Sequence, residues 1–361
     1  MEVFSNQNAQ DFLYKYLNTA SPTGFETPGQ KVWLEYLKPY IDDYITDNYG
    51  SVAAIINPGG MYKVVIEAHA DEISWFVNYI SDDGFIYIKR NGGSDHMIAP
   101  SKRVNIYTEN GTVVKGVFGW PAIHVREAGK EVIPSLDNLF IDIGCAKKDD
   151  VNKLGIHPGC VIVFEDELTE LNQKFLCGRA LDNRIGGFMI AQVARLIKEN
   201  AIQLPFSLYI VNAVQEEIGL RGAEMISRRI KPDVAIITDV CHDTSSPLYD
   251  KKKQGDQKCG KGPVLTFGPA VQNNLLQSII QIAKIKEIPY QRAAVSRSTG
   301  TDTDSFAYSA EGVPSALISL PLKYMHTTVE MVDKQDVENV IQLIYEFVIQ
   351  LQANTDFRYI K

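Results

Sequence analysis

Four apolar runs in this chain end in a histidine or a carboxylate, and no other feature restricts the fold as tightly. Val64–Ala68 is closed by His69 and Asp71, Leu208–Val214 by Glu216 and Glu217, and Val234–Thr238 by Asp239, while Pro314–Leu320 is followed by His326. Short apolar runs bounded by polar residues read as strands buried on both faces, as in a parallel sheet covered by helices. Ligands of open α/β sheets bind beyond the carboxyl ends of the strands. Four strand ends that deliver imidazoles and carboxylates to one edge therefore mark a candidate site. Asp182, between a glycine-bearing turn and a helical pattern, is a fifth contributor.

The remaining pattern supports such a sheet. After Cys177, helix Leu181–Asn200, strand Phe206–Val214, helix Leu220–Ile230 and strand Val234–Asp239 follow one another. Helix Asn273–Glu287, strands Tyr290–Val295 and Val313–Leu320, and helix Lys334–Gln352 continue the series. Such alternation predicts an α/β fold with a mostly parallel, helix-covered sheet. The first 75 residues read as an amphipathic helix over Asn8–Asn18, a helix to Tyr40 capped by Thr27 with Pro28 at its first position, and strands Ser51–Asn57 and Lys63–His69. Between Phe76 and Phe175 no long helical pattern occurs. Alternating runs such as Arg103–Thr108, Thr112–Gly119, Phe140–Ile143 and Val161–Phe164 are broken there by Gly, Pro and Asn. The expected organisation is a main domain from residues 1–75 and 176–361, interrupted by a small β domain at 76–175.

The strand-end residues suit a two-metal hydrolase. His69 and Asp71 are two apart at a strand end and so share a face; Asp71 can accept the second N–H of the imidazole and orient it as a ligand. Asp182 at the turn into a helix can bridge two cations. Glu217 and Asp239 then serve one cation each, completed by His69 and His326. Two divalent ions carry +4, and three carboxylates with a bridging hydroxide carry −4, a closed balance for a partly desolvated site. Two such ions can acidify a shared water and polarise a carbonyl. Glu216 cannot point with Glu217, which leaves it as the general base. Two histidines among carboxylates accept Zn, with Co or Mn as alternatives.

Other features are read as structural. His96, His124 and His157 fall in the β domain and are taken as surface or fold histidines, whereas His242 is near enough to Asp239 to line a pocket. Gly59–Gly60 and Gly92–Gly93 read as turns. With 45% apolar and 22% charged residues, the composition is that of an ordinary globular protein. A net charge of −8 argues against nucleic acid or an anionic membrane as partner. No apolar run approaches the roughly 20 residues of a membrane span. The N-terminal stretch lacks a secretory pattern, and five cysteines stand singly without CxxC pairs, so the chain is expected to be cytoplasmic.

The motifs EAHADEI (Glu67–Ile73), GRALDNRIGG (Gly178–Gly187), QEEIGLRGA (Gln215–Ala223), ITDV (Ile237–Val240), GKGP (Gly260–Pro263), GTDTDSF (Gly300–Phe306) and GVPSALISLPLKYMHTTVE (Gly312–Glu330) resemble the tetrahedral (TET) dinuclear metallo-aminopeptidase family. Its members are often labelled glutamyl aminopeptidase or endoglucanase. The resemblance implies a co-catalytic zinc aminopeptidase-like main domain and metal ligands His69, Asp182 (bridging), Glu217, Asp239 and His326. It further implies Glu216 as base, Asp71 as the group orienting His69, and a cis bond between Asp182 and Asn183. The inserted domain would be PDZ-like and mediate dimerisation within a homododecamer that encloses a chamber. Two positions depart from the family: Asn183, where a second aspartate is common, and Lys323, where arginine is common.

The expected function is a metal-dependent aminopeptidase that releases N-terminal residues from peptides. A related binuclear amidohydrolase, acting as a deacylase or carboxypeptidase, is the alternative. A glycosidase needs only two carboxylates and would leave both histidines without a role. An acidic side chain at the substrate N-terminus requires a facing cation, for which Arg221, Lys261, Arg297 and Lys323 are the candidates. A lysine at 323 and apolar walls from Ile318–Leu322 favour neutral or hydrophobic residues there.

Overall fold

The computed structural model describes residues 3–360. The chain begins with α1 (Gln7–Asn18) and α2 (Thr27–Leu37), followed by β1 (Asp43–Thr46), β2 (Val52–Ile56) and β3 (Lys63–His69). Six strands come next: β4 (Ser74–Ile80), β5 (Ile86–Asn91), β6 (Arg103–Tyr107), β7 (Val113–Phe118), β8 (Phe140–Asp142) and, after the short α3 (Lys148–Lys153), β9 (Val161–Phe164). The chain returns through β10 (Thr169–Leu171) and β11 (Phe175–Gly178) to α4 (Leu181–Glu199), β12 (Ser207–Ala213), α5 (Arg221–Ile230) and β13 (Val234–His242). It closes with α6 (Lys251–Gln254), β14 (Val264–Phe267), α7 (Asn273–Ile285), β15 (Gln291–Ala294), α8 (Thr303–Ala307), β16 (Ser315–Leu322), β17 (Glu330–Asp333) and α9 (Lys334–Gln350).

Eight strands form the main sheet in the order β1-β2-β12-β3-β13-β16-β14-β15. Its centre, β12-β3-β13-β16, is parallel, and antiparallel pairs flank it on both sides. These four strands are almost wholly buried, which is why they read as unbroken apolar runs. Helices α4, α9, α1, α2 and α7 cover one face; α5 and α8 cover the other. The fold is thus the mixed α/β architecture expected, with a largely parallel sheet.

Helix α4 is buried along nearly its whole length. Gly186 lets it approach the sheet closely: a Cβ there would stand 2.8 Å from the Cβ of Ala68, the residue before His69. The cap expected for α2 differs. Thr27 is the first helical residue, Glu26 holds the N-cap position, and the Glu26 carboxylate accepts from Gly24 and Gln215 N–H groups instead of capping. The α-helix ends at Leu37 and tightens into a 3-10 turn over Lys38–Tyr40.

The helix-poor middle of the chain forms a closed antiparallel barrel, β4-β5-β8-β7-β6-β9, around its own core of Trp75, Val104, Ile106, Phe118, Ile141 and Ile162. A three-stranded sheet, β10-β11-β17, joins the segment leaving the barrel to the end of the chain.

Candidate metal centre

The expected site residues converge on one edge of the main sheet: Asp239 lies three residues before the end of β13, which runs on to His242, and His326 lies in the loop between β16 and β17. His69 ends β3, and β13 carries Asp239. Ile237 pairs with Glu67, so the same register two residues on sets Asp239 beside His69. Beyond β12, Gln215 adopts a left-handed conformation and starts a 3-10 turn over Glu216–Ile218. That sharp reversal splits the two adjacent glutamates. Asp182 lies at the irregular start of α4, followed by a cis peptide to Asn183, as the resemblance implied. The Asn183 amide donates to the Thr238 carbonyl at 2.8 Å, tying this turn to β13 beside Asp239.

The geometry has two halves that meet at Asp182. His69 Nε2 lies 3.2 Å from Asp182 Oδ1 and 3.9 Å from both Asp239 Oδ1 and Glu216 Oε2. His326 Nε2 lies 3.2 Å from Asp182 Oδ2 and 3.4 Å from Glu217 Oε2. The sets His69, Asp182, Asp239 and Asp182, Glu217, His326 each bring their donor atoms within 4.8 Å of one another, as does His69, Glu216, Glu217. Asp71 stands behind the first histidine: its Oδ1 is 3.4 Å from His69 Nδ1 and accepts Glu216 N–H at 3.0 Å, while Oδ2 accepts Glu217 N–H at 3.2 Å and the Thr23 hydroxyl at 2.9 Å. One buried carboxylate thereby sets the imidazole and the acidic turn relative to each other.

Burial raises Glu216 to about 10 and Asp239 to about 7, and neighbouring carboxylates add to the effect. Glu217 lies well above its ordinary range for the same reasons, burial foremost and Asp182 next. Asp182 is held low despite burial, because both imidazoles face it. Burial disfavours charge on His69 and His326, but Asp182 beside each raises them. Four carboxylates thus share two imidazoles here, and buried carboxylates in such excess are paired or coordinate metals. The donor set therefore fits divalent cations.

Five contributing residues escaped sequence reading. Glu330 accepts Asp182 N–H at 3.1 Å and His326 N–H at 2.7 Å, joining two distant segments; its only signal was its place at the end of the last shared motif. Glu67 and Asp302 form a wholly buried carboxyl pair beneath His69, with Glu67 raised to about 8 by burial. Gly92 and Gly93, read as a turn, lie against Glu217 and His326.

A cleft of about 1050 Å³ opens from these residues, lined also by His242, Thr266, Phe267, Arg292, Thr299 and Met325. Of Ile318–Leu322 only Ser319 reaches it, together with Leu317, because alternate side chains of β16 point to opposite faces. None of Arg221, Lys261, Arg297 and Lys323 lines it; the cations that do are Arg292 and Lys253. His124 is exposed and His96 and His157 are half-buried, and none of the three lines the cleft.

Comparison with known proteins bears on fold and family. The M42 glutamyl aminopeptidase family model matches residues 50–343. Lysyl aminopeptidase of Pyrococcus furiosus is 32% identical over 345 residues, covering 95% of this chain and 97% of that protein. The TET aminopeptidase of a marine sediment Thaumarchaeota archaeon superposes with a TM-score of 0.90 at 28% identity, covering 96% of this chain and 98% of its own. A Pyrococcus horikoshii TET peptidase, described as able to assemble into a tetrahedron or a large octahedral shell, gives 0.83 at 27% identity, covering 95% and 100%. No helix among the described residues is long and apolar enough to cross a membrane. The chain belongs to the M42 glutamyl aminopeptidase family, and its activity is that of an aminopeptidase.

Proposed function

We propose that this chain is a dinuclear metallo-aminopeptidase that removes N-terminal residues from peptides in the cytoplasm. The observation that carries this reading is the placement of Asp182, whose two oxygens each lie 3.2 Å from a different histidine. His69, Asp182 and Asp239 would hold one ion, and Asp182, Glu217 and His326 the other, zinc being the first candidate and cobalt or manganese the alternatives. A bound pair of such ions supplies Lewis acidity, lowering the pKa of the attacking water and polarising the scissile carbonyl.

The protein's own groups do the rest. Glu216 takes a proton from the attacking water and delivers it to the leaving amine nitrogen. Its side chain is mostly buried, which keeps bulk water from competing for that proton. Asp71 backs His69 on the Nδ1 side, which would leave Nε2 free to hold an ion, and through the Glu216 N–H it sets the base relative to that ring. Metal analysis combined with a panel of aminoacyl chromogenic substrates tests the reading. Hydrolysis of N-acylated but not free-amine peptides would instead support a deacylase.

The assembly belongs to the same proposal. Ile123, Val125, Val132 and Ile133 of the barrel domain are 61–72% exposed, apolar surface suited to contact between subunits. A homododecamer with an internal chamber would exclude folded proteins and admit peptides. Light scattering that reports a monomer at micromolar concentration would refute the chamber.

A further inference from the structure

The two histidines of the centre are supported differently. His69 turns Nε2 toward Asp182 and Nδ1 toward Asp71, both within the main domain. His326 likewise turns Nε2 toward Asp182 and Glu217, and the far side of its ring meets the inserted barrel. A Cβ built on Gly93 would lie 2.6 Å from both Nδ1 and Cε1 of His326, so the bare Cα of Gly93 is what leaves room for the ring. The adjoining Gly92, with φ of +73°, packs on Glu217, its added Cβ standing 3.2 Å from the Glu217 Cβ. This diglycine therefore touches two members of one half of the centre.

The loop that carries it is firmly held. Asn91 donates to the Thr23 carbonyl and the Ser74 hydroxyl, each at 2.8 Å, and the Ser94 hydroxyl donates to the Ser74 carbonyl at 2.5 Å. All three of Asn91, Ser94 and Ser74 are buried. On the other side, Lys102 of the barrel reaches the Thr328 hydroxyl, two residues beyond His326.

We propose that Gly93, on the inserted barrel domain, is a positioning residue for His326. Its missing side chain admits the ring, so the barrel sets the geometry of the Asp182, Glu217, His326 site. The inserted domain then contributes to the chemistry as well as to assembly, although it supplies no ligand. Partners of this kind, which orient a ligating histidine from behind, are worth about 10–100-fold in metal affinity. The inference rests on the two-metal reading above.

The test titrates zinc and manganese into metal-free wild-type, Gly93→Ala, Ser94→Ala and His326→Ala proteins, with Gly59→Ala as a control at a position open to a Cβ. Gly93→Ala is expected to weaken one of two sites about 10–100-fold, the site that His326→Ala abolishes, and to leave the other within about twofold. Ser94→Ala, which adds no atoms and only loosens the loop, is expected to weaken the same site by a smaller factor. In the His326→Ala background, Gly93→Ala should change neither the remaining affinity nor the melting temperature, because no ring is left to displace. A merely structural glycine would lower both affinities, or the melting temperature, in either background. Unchanged affinity for both ions in Gly93→Ala overturns the inference, as does unchanged affinity in Ser94→Ala should the alanine at 93 prevent folding. Wild-type protein that binds no ion pair would instead refute the metal reading itself.

Discussion

Replacing Glu216 with glutamine should act in opposite directions on activity and on the stability of the metal-free protein. Without cations the Glu216 carboxyl is raised to about 10, by burial and by repulsion from Asp239, Asp302 and Asp182, against the opposing pull of His69. A carboxyl whose folded pKa exceeds its unfolded value of about 4.5 keeps a proton that the unfolded chain has released. Its contribution is intact below pH 4.5 and is lost progressively as pH rises toward 10. At pH 7 the interval from 4.5 is 2.5 units, which at about 1.36 kcal/mol per unit sets an upper bound on the order of 3 kcal/mol. Glutamine does not ionise, so metal-free Glu216→Gln should melt up to roughly 4 °C above wild type at pH 7, with the gain vanishing at pH 4.5. With metals bound the carboxylate is already ionised and offset, so loaded protein should show little difference in melting. Loss of the base should nevertheless lower kcat by about 10²–10⁴. Calorimetry of metal-free and loaded protein at two pH values, together with steady-state kinetics, gives all the readouts. Near wild-type kcat would refute the base assignment. A metal-free melting temperature that falls at pH 7 would refute the electrostatic account.

Asp182→Asn should remove a charge shared by both halves of the centre, so bound metal should drop from two ions per chain to fewer than one, as read by elemental analysis. Asp239, raised to about 7 by burial and then by Asp182 against His69, holds a proton at pH 6 that a cation must displace; metal affinity in titration calorimetry should rise about fivefold between pH 6 and 7 from this group alone, and a pH-independent affinity would contradict this. Arg292 lines the cleft with no carboxylate within ion-pair distance among the described residues, its polar contact being the Tyr290 hydroxyl. Arg292→Ala should therefore lower kcat/KM for glutamyl substrates about tenfold relative to leucyl ones, equivalent to about 1.4 kcal/mol, and an unchanged ratio would remove Arg292 from substrate selection.

Much of the candidate site was legible because polar groups are rare in the apolar runs of central parallel strands, so those that close or follow such a run stand out. His69, Glu216, Glu217 and Asp239 stood out for that reason, and Asp182 stood out because a carboxylate at a glycine-bearing turn into a helix is suited to bind cations. What stayed hidden depends on partners far away in sequence. Glu330 matters only because β17 pairs with β11 and so brings it between Asp182 and His326. Gly92 and Gly93 look like any turn until the barrel is docked on the sheet. The walls expected from Ile318–Leu322 failed on strand alternation, and Arg292 gave no signal because it sits on an outer strand with no apolar run around it. The barrel was legible as a short-stranded β region, but its closure was not, since closure depends on which strands meet and local alternation does not encode that.

Strand β3 lies between β12 and β13, both of which follow it by more than a hundred residues. During synthesis its two hydrogen-bonding edges stay open until those segments have emerged, and the barrel must be made in between. Completion waits longer still, until His326 and Glu330 arrive. A growing chain therefore carries exposed sheet edges and no peptidase activity for most of its synthesis. Assembly of the candidate centre is thereby tied to segments that are made late, after both edges of β3 and the barrel have already emerged.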